Sequence, residues 1–127
     1  MYTIKPFGAF NSQDVPVIEL TDGVCAVELI PYGAAVRSIQ VPDREGKLTD
    51  ISLGYDDLDS YRNLDACLGG TIGRCANRIG GARFAIGGTE YRVTANEGAN
   101  CLHGGAEGFH KKTVGLCLPG KQRYVHL

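Results

Sequence analysis

An all-β fold is the class that this 127-residue sequence predicts, on three observations. Eighteen glycines, many of them in pairs, punctuate the chain. The runs between them are short and rich in Val, Ile, Thr and Tyr, which suit a pleated, half-buried surface. Apolar residues at helical spacing are nearly absent, so the chain offers strands joined by tight turns.

Val15 to Leu20 reads as a strand. Thr21-Asp22-Gly23 turns it into Val24 to Ile30, because Asp-Gly tolerates the positive φ of a tight hairpin. Pro31-Tyr32-Gly33 turns the chain again into Ala34 to Val41, anchored by Val36, Ile39 and Val41. Pro42 to Gly46 is a further turn and Leu48 to Leu53 a further strand. Between Gly54 and Leu68, the capping-type residues Asp56, Asp57 and Asp59 predict one short helical turn. Arg83 to Ile86, Gly87-Gly88 and Thr89 to Val93 form the clearest hairpin, with Phe84 and Ile86 on one side and Tyr91 and Val93 on the other. At strand spacing, Phe84, Tyr91 and Phe109 read as core aromatics. No repeat or linker precedes residue 109, after which the character of the chain changes.

One domain with its own core fits this length. Thirteen Lys and Arg against fourteen Asp and Glu, interspersed, give a formal net charge of -1. That balance points away from nucleic acid and from an acidic membrane surface. The first residues lack the apolar stretch of a signal peptide, and no run approaches the ~20 apolar residues of a membrane span, so a cytoplasmic protein is expected. Cys25, Cys67, Cys75, Cys101 and Cys117 include no C-x-x-C pair. Reduced, mostly buried thiols are expected rather than a zinc site built on Cys67, Cys75, Cys101 and His103. Gly69 to Gly73 lacks the Gly-Lys-Ser/Thr ending of a phosphate loop and reads as tight packing or a turn.

The most informative segments are Gly73-Arg74-Cys75-Ala76-Asn77-Arg78-Ile79 and Asn96-Glu97-Gly98-Ala99-Asn100-Cys101-Leu102-His103-Gly104-Gly105. They lie at the ends of the predicted hairpin, where a rigid scaffold can aim Asn77, Arg78 and His103 at one small ligand. Taken singly, each residue has an ordinary role. An Arg at a strand end is usually solvated or ion-paired, an Asn beside a turn satisfies backbone groups, and a His can cap a loop carbonyl.

With Val27 to Ala34, Val41-Pro42-Asp43, Leu53 to Leu58 and Gly108-Phe109 in the same order, residues 2 to 110 resemble the aldose 1-epimerase (galactose mutarotase) family. Its members interconvert the α and β anomers of hexoses. The resemblance implies a large antiparallel β-sandwich of the mutarotase type. Residues 1–109 are expected to be its N-terminal portion and 110–127 a divergent tail. It also implies a hexose such as galactose or glucose as the small-molecule partner, with no cofactor and no metal. Asn77, Arg78 and His103 would contact the sugar, with His103 also in an auxiliary catalytic role and Arg74 in a structural one. Arg would fork onto ring hydroxyls, Asn would match a hydroxyl as donor and acceptor, and His would serve the ring or anomeric oxygen.

Ring opening needs an acid and a base on opposite sides of the anomeric centre. In the family these are a histidine and a glutamate, with an aspartate between them, and all three fall beyond residue 127. Glu90, Glu97 and Glu107 lie near the motifs but are not expected to replace the base. An inactive chain is therefore expected, the alternative being a noncatalytic sugar-binding module. The family's tryptophan after Gly-Phe is absent, and Val114-Gly115-Leu116 stands in its place, so an aberrant, frameshifted end from about residue 114 is expected. An uncovered sheet predicts poor solubility.

Overall fold

The computed structural model describes residues 1–64, 66–115, 117–118 and 121–122, the last two pairs by backbone alone. Five strands form one antiparallel sheet in sequential order: β1 (Tyr2–Phe10), β2 (Gln13–Thr21), β3 (Ala26–Ile30), β4 (Ala35–Pro42) and β5 (Leu48–Asp50). Separate two-stranded ladders join β6 (Arg78–Ile79) to β9 (Cys101–Leu102), β7 (Arg83–Ile86) to β8 (Thr89–Arg92), and β10 (Cys117–Leu118) to β11 (Lys121–Gln122). The all-β expectation holds, with α1 (Leu58–Asn63) as the short helix expected in 54–68. Its N-cap is Asp57, whose carboxylate accepts from the Ser60 N–H at 2.8 Å and from the Ser60 hydroxyl at 2.8 Å.

Strand β1 was not expected, because Pro6 and Gly8 interrupt its sequence pattern. At the edge of the sheet a proline loses no ladder bond, and the register shift between Pro6 and Gly8 sets Phe7 in a bulge. A second shift, between Glu28 and Leu29, leaves Arg37 as the extra residue of β4. The two bulges meet: the Arg37 guanidinium lies 5.5 Å from the Phe7 ring centroid, pairs with Glu28 and Asp56, and donates to the Tyr55 carbonyl. Strand β3 begins at Ala26 rather than Val24, because Asp22 Oδ1 accepts from the N–H groups of Val24 and Cys25. Strand β5 ends at Asp50 rather than Leu53, where Asp50 Oδ1 takes the N–H groups of Ile39 and Ser52.

Alternation gives the main sheet two apolar faces. Val15, Val17, Ile30, Tyr32 and Ala35 pack with Leu58 of α1, and Phe7, Phe10 and Tyr61 border this core. The other face carries Ile18, Leu20, Val27 and Leu29 around an open cavity of about 780 Å³. A sheet apolar on both faces favours cover on both.

In the β7–β8 hairpin the structure corrects the expected sidedness. Phe84 and Tyr91 are register partners, share a face and stack at 5.4 Å. Nor are they core: Phe84 is 39% and Tyr91 46% exposed, and Val93 lies beyond the strand. Thiol burial is also more mixed than expected, with Cys101 buried, Cys25 and Cys67 partly so, and Cys75 exposed.

Past Phe109 the chain returns to the β3–β4 turn. Gly33 N–H donates to the Lys112 carbonyl at 2.7 Å, Val114 N–H donates to the Pro31 carbonyl at 2.9 Å, and Thr113 bridges Tyr32. The aberrant end expected from about residue 114 falls mostly outside the described residues. No helix among the described residues is long and apolar enough to cross a membrane.

Candidate functional site

The β6–β9 ladder is the scaffold of the site. Arg78 pairs with Leu102 and Ile79 with Cys101, so Asn77 and His103 stand opposite each other just beyond the last ladder pair. They are tied reciprocally. His103 N–H donates to the Asn77 carbonyl at 3.0 Å, and Asn77 N–H donates to His103 Nδ1 at 3.0 Å. Both residues take positive φ, 60° at Asn77 and 54° at His103, conformations that asparagine and histidine visit more readily than most side chains. Because Nδ1 accepts, the neutral ring carries its proton on Nε2, which makes Nε2–H the donor available to a ligand. His103 does not cap a loop carbonyl through its ring in this arrangement.

The turn after His103 requires glycine. Gly104 has φ +90°, and a Cβ there would lie 1.8 Å from the Gly73 carbonyl oxygen. The same contact brings the start of the Gly73–Ile79 segment against the end of the Asn96–Gly105 segment. Phe109 closes this junction. Its N–H donates to the Gly73 carbonyl at 3.3 Å, and its ring lies 5.4 Å from the Arg74 guanidinium. Arg74 itself is exposed, with this ring contact on one side.

The exposed guanidinium of Arg78 is held on two sides. Its Nε donates to Glu97 Oε2 at 2.6 Å and its Nη2 pairs with Glu97 Oε1, while Nη1 donates to Asn77 Oδ1 at 3.2 Å. This last bond occupies part of the acceptor capacity expected of Asn77 and leaves its amide N–H groups as the stronger offer to a ligand. Arg78 first, by its hydrogen bond, holds the Glu97 carboxyl below the ordinary carboxylate range, and Glu97 in turn raises the Arg78 guanidinium.

Glu97 belongs to this cluster, and sequence reasoning weighed it only as a stand-in base. The available signal was the flanking Asn96 and Asn100. The Asn96 side chain accepts from Leu102 N–H at 2.7 Å and donates to the Leu102 carbonyl at 3.0 Å. Asn100 Oδ1 accepts from Gly81 N–H at 3.1 Å. Such Asx bonds pin the 97–100 loop beside β6. Glu90 instead pairs with Arg83 and Arg92, and Glu107 with Lys112. Among the described residues no group of three or more His, Cys, Asp or Glu is arranged to hold a metal ion.

Residues 16–113 match the family model described as aldose 1-epimerase. The chain belongs to the aldose 1-epimerase family. It is 37% identical over 106 residues to the galactose mutarotase of Bos taurus, covering 84% of this chain and 30% of that protein. Identity is 37% over 86 residues to the aldose 1-epimerase of Escherichia coli, covering 68% of this chain and 25% of that protein. Two solved structures share the fold. A C. elegans aldose epimerase homologue superposes with a TM-score of 0.72 at 34% identity, covering 78% of this chain and 31% of that one. Galactose 1-epimerase from Lactobacillus acidophilus superposes with a TM-score of 0.75 at 24% identity, covering 89% and 32%. The chain therefore spans about 30% of the length of the galactose mutarotase it matches.

Proposed function

We propose that Asn77, Arg78 and His103 bind a hexose for the anomer interconversion typical of the family. The observation that carries this reading is the convergence of three kinds of donor at one ladder end: Arg78 Nη groups, the Asn77 amide and His103 Nε2–H. A pyranose offers adjacent hydroxyls and a ring oxygen, each able to accept such a donor. Arg78 takes two hydroxyl oxygens, Asn77 a third polar atom, and His103 the ring or anomeric oxygen. Charge on the ring oxygen grows as the ring opens, and an Nε2–H aimed there strengthens its bond in the transition state, which is the auxiliary role assigned to His103.

Removing the anomeric proton needs a base. Glu97 is the carboxylate of this cluster, but Arg78 holds it ionised with both oxygens engaged, which lowers its basicity. This favours the second reading for the 127-residue chain taken alone: sugar binding with little or no turnover. An NMR titration with D-galactose, paired with polarimetry of α-D-galactose, tests both. Binding that Arg78→Met or His103→Ala abolishes supports the site; binding with polarimetry at the uncatalysed rate supports the binding-only form. Indifference of the amide signals of Asn77, Arg78 and His103 to D-galactose at high millimolar concentration refutes both.

A further inference from the structure

We propose that Glu97 is a positioning residue that selects which edge of the Arg78 guanidinium meets the sugar. The proposal rests on the hexose reading above and adds a specificity element to it.

An arginine side chain has five N–H donors in one plane. Glu97 takes the edge formed by Nε and Nη2, and Asn77 Oδ1 takes one N–H of Nη1. One N–H on each Nη remains for a ligand. Two donors on adjacent nitrogens suit two hydroxyl oxygens on neighbouring ring carbons. An unrestrained Arg78 could also present its side edge to a carboxylate or phosphate, whose paired oxygens match the guanidinium fork. By filling that edge and setting its own negative charge against the guanidinium, Glu97 biases the site toward neutral polyols and against anions.

The loop that carries Glu97 is built to hold it there. Glu97 and Asn100 exchange backbone hydrogen bonds at 3.1 and 2.9 Å, and the side chains of Asn96 and Asn100 fasten the two ends of the loop to Leu102 and Gly81. The Arg78 and Glu97 side chains are 53% and 37% exposed, and an ion pair so open to solvent adds little to folding stability. Its consequence lies in aim, so stability and sugar affinity are expected to respond differently to its removal.

The test uses the 127-residue chain and its Glu97→Gln, Glu97→Ala and Arg78→Met variants, titrated with D-galactose and, separately, with galactonate. Glu97→Gln is expected to weaken D-galactose binding about threefold and Glu97→Ala about fivefold or more, with urea midpoints unchanged. Both variants gain affinity for galactonate, because the freed side edge of Arg78 donates to its carboxylate and the repelling charge of Glu97 is gone. The Arg78 Nε–H resonance, shifted and slow to exchange in the parent, moves to the free-arginine position in Glu97→Ala. Parent-like binding of both sugars by Glu97→Ala, with Arg78→Met still dead, overturns this proposal and leaves the hexose reading standing. If the parent binds no D-galactose although its Arg78 Nε–H is protected, the hexose reading fails and the positioning role fails with it.

Discussion

Gly104 and Gly46 provide a matched pair for measuring what the junction between the two motifs is worth. Their φ values are nearly equal, +90° and +83°. Alanine at either position pays the left-handed backbone penalty of about 1–2 kcal/mol. They differ in surroundings. A Cβ at Gly46, in the β4–β5 turn, meets nothing within 4 Å. At Gly104 it would lie 1.8 Å from the Gly73 oxygen, 2.7 Å from the Gly73 carbon and 3.2 Å from the Arg74 nitrogen. Those are backbone atoms, so no rotamer change relieves the clash, and the two segments must separate. Overpacking of this kind costs roughly 1–3 kcal/mol beyond the φ penalty, and the rigidity of both partners argues for the upper half of that range. With a urea slope of about 2 kcal/mol/M, an excess of ~2 kcal/mol lowers the midpoint of Gly104→Ala by about 1 M relative to Gly46→Ala. Far-UV circular dichroism at low micromolar concentration reads both midpoints. Gly104→Ala also shifts His103 and Arg74, so D-galactose binding is lost in this variant and kept in Gly46→Ala. Midpoints within about 0.3 M of each other would refute the close-approach argument.

Leu58 is 3% exposed and packs against Val15, Val17, Ile30, Tyr32 and Ala35, so Leu58→Ala is expected to cost about 3–5 kcal/mol, read from urea unfolding. At β5, the Ser38 hydroxyl and after it the N–H groups of Ser52 and Ile39 lower the Asp50 carboxyl from 3.8 to about 2. A carboxyl depressed in the folded state contributes stability that is fully present above 3.8 and lost as the pH falls toward about 2. Asp50→Asn should therefore flatten part of the acid limb of the stability profile; an unchanged limb would count against it. The open apolar face around Ile18, Leu20, Val27 and Leu29 predicts self-association that grows with concentration. In sedimentation velocity, Val27→Glu is expected to reduce it, and a parent chain that stays monomeric at 100 μM or so would dispose of the idea.

Much of the main sheet is legible in the sequence because its determinants are local. The alternation in β2 to β4, Asp-Gly before β3, and Asp57 three residues before its hydrogen-bonded partner Ser60 are all short-range signals. Strand β1 is not legible, since Pro6 and Gly8 are acceptable only once the segment is known to be an edge strand with a bulge. The hairpin aromatics mislead for a related reason: alternation separates the two faces of a strand, but register decides which face Phe84 and Tyr91 share.

The candidate site divides the same way. Family membership follows from ordered segments across residues 2 to 110, and Asn77, Arg78 and His103 as residues to watch from two motifs read along the chain. Only the tertiary structure joins them: Asn77 N–H to His103 Nδ1 across 26 residues, and Arg78 to Glu97 across 19. Sequence spacing specifies what each segment prefers locally, whereas contacts between distant segments depend on the register of β6 against β9 and on the Gly104–Gly73 approach that brings their loops together. The orientation of the His103 ring and the engaged edge of Arg78 are set by those long-range hydrogen bonds, and no local pattern encodes them.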